Sequence, residues 1–265
     1  MRILRTVFAV VGVIFCGLLL FLTAPGCAHV AESKAEKAVN DLLPSFLGPA
    51  DKYTTRVQGK SAGAVMRGRL ESVHIEGTNV RLEDGMTIDD LRMDFQAITI
   101  DTRTRKLSHL GSATFTARIG TVNLNRYVRV KRPALSGLLI TLGSGSASVE
   151  ARPALLASYG LTGLKVPVAV KGKLAPTPDG LGLDFVPDTA RVLILPIPRP
   201  VIEYLARALN PAVDMSTLPI PVRIESAEIK PDGVYLRGTA PSEDLLRAAN
   251  KAAAPAPAPA PAPTP

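Results

Sequence analysis

Between residues 53 and 119 apolar residues recur at every second position, and the phase of that alternation changes along the way. Val73 and Ile75 fall on odd positions, whereas Val80 and Leu82 fall on even ones. Leu91, Met93 and Phe95 return to odd numbers, and Ile98 and Ile100 are even again. Side chains of a strand point to opposite faces in turn, so one face stays apolar only if the backbone slips by one residue between such runs. Slips near 76–78 and at Gln96-Ala97 therefore predict β-bulges, which bend and twist the strands that carry them. Two long bulged strands joined at Glu83-Asp84-Gly85 predict a curled antiparallel hairpin, and Phe115, Ala117 and Ile119 extend it by a third strand.

The pattern changes again after that strand. Thr121 is placed to cap a short helix over VNLNRYVRV, in which Leu124 and Val128 share a face. Strands resume at 138–149, with the glycine-rich Gly143-Ser144-Gly145-Ser146 as a turn between them. Pro153 and Gly160 bracket a short helix, ALLASY. Val166, Val168 and Val170 alternate, as do Leu181, Leu183 and Phe185 beyond the turn Pro178-Asp179-Gly180. Pro200 opens a helix over VIEYLARAL that Asn210-Pro211 closes. Val222, Ile224 and Ile229, then Val234 and Leu236 around Pro231-Asp232-Gly233, predict a terminal hairpin.

The two ends differ from this body. Arg2 and Arg5 precede an uncharged run at 6–22, whose seventeen residues would span about 25 Å as a helix. That is marginal for a bilayer core of about 30 Å and long for a secretory segment, but the charge order predicts export of the downstream chain. Thr23-Ala24-Pro25-Gly26-Cys27 resembles a lipobox, with Pro25 departing from the pattern. Three readings stay open: a lipid on Cys27, cleavage after Ala28, or an uncleaved anchor. Residues 31–46 carry Ala31, Ala35, Val39, Leu42 and Phe46 at helical spacing, an amphipathic stripe that ends near Pro44. From Ala252 the chain alternates Ala and Pro, with six prolines, and predicts an extended solvated tail. The expected layout is a signal peptide or anchor over 1–27, one α+β domain over 28–240, and a disordered tail over 241–265.

The reactive inventory of that domain is thin. Cys16 and Cys27 are the only cysteines and both precede it, so no disulfide is expected within it. His29, His74 and His109 have no metal-ligand spacing, no G-x-S-x-G occurs, and the Gly143 loop lacks the lysine and helix of a phosphate loop. His74 alternates against Val73 and Ile75 and is expected to face solvent. Asp89 and Asp90 are adjacent strand residues that point to opposite faces. Asp184 and Asp188 are acids without an evident partner. No catalytic residue, metal or cofactor is expected. The net charge of +8 is dispersed, which suits anionic headgroups or wall polymers. Nucleic acid is excluded as a partner, since the chain is exported and lacks aromatics among its basic residues.

What remains is aliphatic surface: 46% of residues are hydrophobic and none is tryptophan. A sheet curled against a helix leaves a groove suited to an acyl chain, which needs apolar area and shape rather than reactive groups. Val39, Leu42, Leu91, Met93, Phe95 and Phe115 are the candidate lipid-binding residues, set against the plainer reading that they only fill a core. A second function class is a scaffolding protein that links membrane to wall or partner through the Ala-Pro tail.

Three segments carry a resemblance. They are MRGRLESVHIEGTNVRLEDGMTIDDLRMDFQAITID, ATFTARIGTVNLNRYV and LNPAVDMSTLPIPVRIESAEIKPDGVYLRGTA. Their order, with Gly68 to Val73, Leu124-Asn125-Arg126-Tyr127, Asn210-Pro211 and Arg237-Gly238-Thr239-Ala240 as landmarks, resembles the LmeA-like phospholipid-binding family. The resemblance covers about 31–240. It implies an exported or membrane-anchored envelope protein that binds phospholipid without catalytic residues. It further implies a long curved antiparallel sheet wrapped around or packed on helices, similar to tubular lipid-binding folds. The lipobox-like stretch and the Ala-Pro tail are not general features of that family.

Overall fold

Long runs of alternating Val, Ile, Leu and Thr favour extended backbone, and strands dominate the fold accordingly. The computed structural model describes residues 32–33, 36–37, 39–41, 43–44, 47–101, 106–131, 133, 137–151, 168–192, 195–196, 202–203, 206–207, 209–215 and 222–242. Among these, the first sheet runs β1 (Lys52–Gln58), β2 (Arg69–Arg81), β3 (Thr87–Asp101), β5 (Ser112–Gly120), β13 (Gly233–Thr239), β12 (Arg223–Lys230), with β4 (Lys106–His109) pairing the far end of β3. The second runs β10 (Leu195–Pro196), β9 (Gly182–Val192), β8 (Val168–Pro176), β7 (Ala147–Ala151), β6 (Leu138–Leu142), and β11 (Val213–Asp214) pairs β9. The ladders are antiparallel, and the first sheet curls into a half-barrel.

Helices are few: α1 (Ala62–Met66), α2 (Thr121–Lys131), and helical residues within 32–44 and 202–209. The expected α+β balance thus shifts toward strand. One apolar cluster joins both sheets with Val39, Leu43, Leu47 and Leu124.

The phase slips are present, and their form differs from the expected bulges. In β2 the buried positions change phase at Glu71-Ser72 and Thr78-Asn79; in β3 they change at Asp89-Asp90 and Gln96-Ala97. Pairing sets Ser72 opposite Gln96 and Thr78 opposite Asp90, so each slip faces another. The slip expected near 76–78 thus lies at 78–79, and the slips at 71–72 and 89–90, marked by the change of parity from Leu70 to Val73 and from Ile88 to Leu91, are not among those expected. A bulge in one strand alone would turn its partner's apolar residues to the wrong face. Matched kinks re-aim both strands at once and keep one register from Arg69 opposite Thr99 to Arg81 opposite Thr87. Asn79 and Ala97, both at φ 51°, supply the local left-handed turns. True register shifts occur at Thr99/Ile100 between β3 and β4, at Ile224/Ser226 between β12 and β13, and at Lys171/Gly172 between β8 and β9.

Unpaired strand edges attract foreign strands, and the chain itself occupies both edges of the first sheet. On β1, the Val57 amide donates to the Glu36 carboxylate at 3.1 Å, and the Thr55 hydroxyl donates to Asn40 Oδ1 at 2.7 Å. On β12, Ile224 N–H donates to the Gly180 carbonyl at 2.8 Å, and Gly145 N–H donates to the Ile229 carbonyl at 2.9 Å, which binds the two sheets together.

Most remaining elements stand where expected: the third strand at β5, the Gly143 turn between β6 and β7, the hairpin β8–β9, and the terminal hairpin β12–β13. The ALLASY helix lies outside the described residues. Thr121 is the first residue of α2 rather than its cap. Asp89 reaches from β3 instead, its Oδ2 accepting from Gly120 N–H at 2.7 Å and from Asn123 Nδ2 at 3.0 Å. An acidic group is favourable at that helix end.

Candidate functional site

The inner face of the first sheet carries a narrow apolar cleft. Ile88, Leu91 and Met93 of β3 and Phe115 and Ala117 of β5 form one wall, with Leu82 at the turn end. Leu47, Met215 and Val222 face them. All nine residues are buried, and the space left between them is about 20 Å³. That is about the share of a single water molecule and far below the roughly 300 Å³ of an ordinary ligand pocket. The walls therefore meet in the state seen here. Among the described residues no polar side chain lines the cleft, so this part of it would be dry and selective for apolar matter.

Two asparagines hold the frame of this cleft in place by the same device. Asn125 on α2 uses its side-chain amide as a strand partner for β6: Oδ1 accepts from Ile140 N–H at 2.8 Å, and Nδ2 donates to the Ile140 carbonyl at 2.8 Å. Asn210 does so for β9, accepting from Phe185 N–H at 2.7 Å and donating to its carbonyl at 3.2 Å. A carboxamide is the one side chain that presents a donor and an acceptor in the spacing of a peptide group. Ala212 N–H then donates to the Leu183 carbonyl at 2.7 Å, so Asn210 and β11 seal one edge together and deliver Met215 to the cleft.

Gly68 and Gly238 have steric reasons of their own. Gly68 sits at φ +74°, and a Cβ there would lie 2.3 Å from the Ile100 carbonyl oxygen. A Cβ at Gly238 would lie 1.9 Å from the Arg223 carbonyl oxygen.

Tyr127, also of the Leu-Asn-Arg-Tyr stretch, is buried, and burial first and then the neighbouring Asp84 charge push its phenol up. The Asp84 side chain is itself only 5% exposed, with Oδ2 3.7 Å from the Lys131 ammonium and Oδ1 accepting from Met86 N–H at 3.0 Å. This cluster fixes α2 to the turn between β2 and β3.

The outer face of the first sheet is polar. His74 lies between Asp94, hydrogen-bonded to Nδ1, and Glu76, 3.2 Å from Nε2. The Asp94 hydrogen bond, opposed by burial and reinforced by Glu76, raises the imidazole above its ordinary 6.5. Asp90 pairs with Arg118 at 2.7 Å, while its neighbour Asp89 serves α2. Asp184 is half-buried and Asp188 exposed at the β9 bulge. Among the described residues no group of three or more His, Cys, Asp or Glu could hold a metal.

Of the candidate residues, Leu91, Met93 and Phe115 meet in the cleft. Val39 is buried in the same apolar cluster, and Phe95 is partly buried against it. Leu42 and Cys27 lie outside the described residues. The remaining cleft residues are not among the candidates. Leu82 and Ile88 belong to the same alternation, and Val222 alternates with Ile224 ahead of the terminal hairpin, which is signal enough to include them; Met215 lies in an irregular segment whose direction alternation does not encode.

Fold and cleft define a β-rich scaffold whose main resource is enclosed apolar surface, stiffened at its edges by polar clamps. The chain belongs to the LmeA-like phospholipid-binding family, whose profile matches residues 23–239. No curated protein and no solved structure matches. Among the described residues no helix is long and apolar enough to cross a membrane.

Proposed function

We propose that this protein binds phospholipid non-catalytically, with an acyl chain entering between the sheet wall at Ile88, Leu91, Met93 and Phe115 and the facing Leu47, Met215 and Val222. The observation that carries this reading is the cleft whose described lining is entirely apolar, in a chain of the LmeA-like phospholipid-binding family. Its volume of about 20 Å³ means the facing residues must part to admit a chain, and burial of methylenes would offset the parting at roughly 0.8 kcal/mol each. Residues 28–240 form the binding domain, in which the sheet embraces the helical stretch within 32–44. Export carries it to the cell envelope, where the N-terminal segment or a lipid on Cys27 holds it, and residues 241–265 are a solvated tail.

Native mass spectrometry of the purified chain, with extraction of bound lipid, tests the reading. Phospholipid is expected at a fixed stoichiometry. Ala117→Ser, which puts a hydroxyl into the wall at almost no change of volume, should lower the bound-lipid fraction while the circular dichroism spectrum is kept. A folded, monodisperse protein that neither carries nor takes up phospholipid would overturn the proposal.

A further inference from the structure

Helix α2 buries one side and offers the other to the outside. Leu124, Asn125, Tyr127 and Val128 are buried. Val122, Arg126, Arg129 and Val130 are exposed. At 100° per residue these four fall within about one third of the helix circumference, so they make one face. Val122 and Val130 are 70% and 59% exposed, the two most exposed of the four large hydrophobics at the surface of the described residues. The third, Leu139 at 48%, lies on β6, the strand to which Asn125 clamps this helix.

Solvent-facing valines are poor choices for a helix, since β-branching restricts χ1 and lowers propensity against Ala, Lys or Glu. Nothing among the described residues covers them on this face. The charges on the helix itself share one sign. α2 contains Arg126, Arg129 and Lys131 and no acidic residue. The adjoining β2–β3 turn contributes Asp84, already paired with Lys131, and the exposed Glu83. Apolar tips flanked by arginines match an anionic bilayer surface, where guanidinium groups meet headgroups and valines enter the boundary with the acyl region.

We propose that this face of α2 is the surface by which the protein docks on an anionic lipid bilayer. The proposal rests on the phospholipid-binding reading and gives it an orientation, because α2 packs against β3 and β5, the strands that wall the cleft. Docking there would set the cleft one helix away from the membrane.

The absence of tryptophan makes a direct test available. Val122→Trp, Val130→Trp and, as control, Val186→Trp on β9 are each made in the full chain. Each is reconstituted in phosphatidylcholine vesicles with or without phosphatidylglycerol, using acyl-brominated lipid as quencher. The N-terminal segment is the same in every variant, so the comparison reads orientation rather than partition. The indole of V122W and that of V130W should be quenched and blue-shifted in the anionic vesicles, and that of V186W should not. Adding Arg126→Gln and Arg129→Gln to Val122→Trp should lower the docked fraction by about five-fold per arginine. Quenching in V122W and V130W no greater than in V186W, or unchanged by the arginine substitutions, would overturn the proposal. Lipid extracted from the same preparations separates the two readings. Bound lipid without quenching removes the docking face alone, and quenching without bound lipid keeps it while removing the cleft as a binding site.

Discussion

Replacing Asn125 with alanine would leave the edge of β6 without its side-chain partner. Asn125 is 7% exposed and Ile140 4%, so water has little access to the groups released. Two hydrogen bonds at 2.8 Å are lost, and the Ile140 N–H and carbonyl are stranded. The amide also donates to the Thr121 carbonyl at 2.9 Å, which has helical surroundings to fall back on. Stranding buried polar groups costs about 1–3 kcal/mol each, so the expected loss is about 2–4 kcal/mol once some relaxation toward water is allowed. For a domain of this size that is a fall in Tm of roughly 5–15 °C. Urea unfolding followed by far-ultraviolet circular dichroism measures it directly.

Asn125→Asp sharpens the test. Its carboxylate can still accept from Ile140 N–H, but its second oxygen would face the carbonyls of Ile140 and Thr121. Only the protonated acid can donate to them. The folded-state pKa at this position therefore lies above the unfolded value of about 3.9. The restored stability is fully present below that value and lost as pH rises through the folded one. An Asn125→Ala loss below about 0.5 kcal/mol, the range of an ordinary surface substitution, would refute the clamp. So would an Asn125→Asp variant whose midpoint is flat with pH.

Three further outcomes rest on the same geometry. Asn210→Ala should destabilise by about 1–3 kcal/mol through the stranded Phe185 peptide groups, and because it also frees β11 it should lower lipid retention in the mass-spectrometric assay. His74 has a folded pKa raised above 6.5 by Asp94 first, so its contribution is fully present below 6.5 and disappears as pH rises through the raised value. His74→Gln should flatten that slope, though modestly because the side chain is 29% exposed, and an NMR titration placing His74 at or below 6.5 would contradict the assignment. Gly68→Ala puts a Cβ against the Ile100 carbonyl at a positive φ, so a loss of at least about 1 kcal/mol is expected in urea unfolding, and a neutral result would mean the turn has another conformation.

The strands were legible because alternation is a strong local signal, and every phase change in the apolar run marks a real change of facing. What alternation cannot say is which strand lies opposite a slip. Thr78 and Asp90 sit on the two arms of one hairpin, but that their kinks face each other follows from the register, which appears only once the ladder is formed. The same limit hid the cleft's outer wall. Leu91, Met93 and Phe115 announce themselves by period, whereas Leu47 and Met215 reach the cleft through irregular segments positioned by the residues within 32–44 and by the stretch that follows Asn210. The landmarks Leu124-Asn125-Arg126-Tyr127 and Asn210-Pro211 read in sequence as helix and turn grammar. Their meaning is edge closure, since each asparagine stands in for a missing strand. Both asparagines act on the second sheet, at β6 and β9, where unpaired strand edges would recruit other chains. Side-chain clamps close those edges without adding strands, and the clamp at Asn210 continues through Ala212 and Met215, whose N–H groups donate to the Leu183 and Leu181 carbonyls.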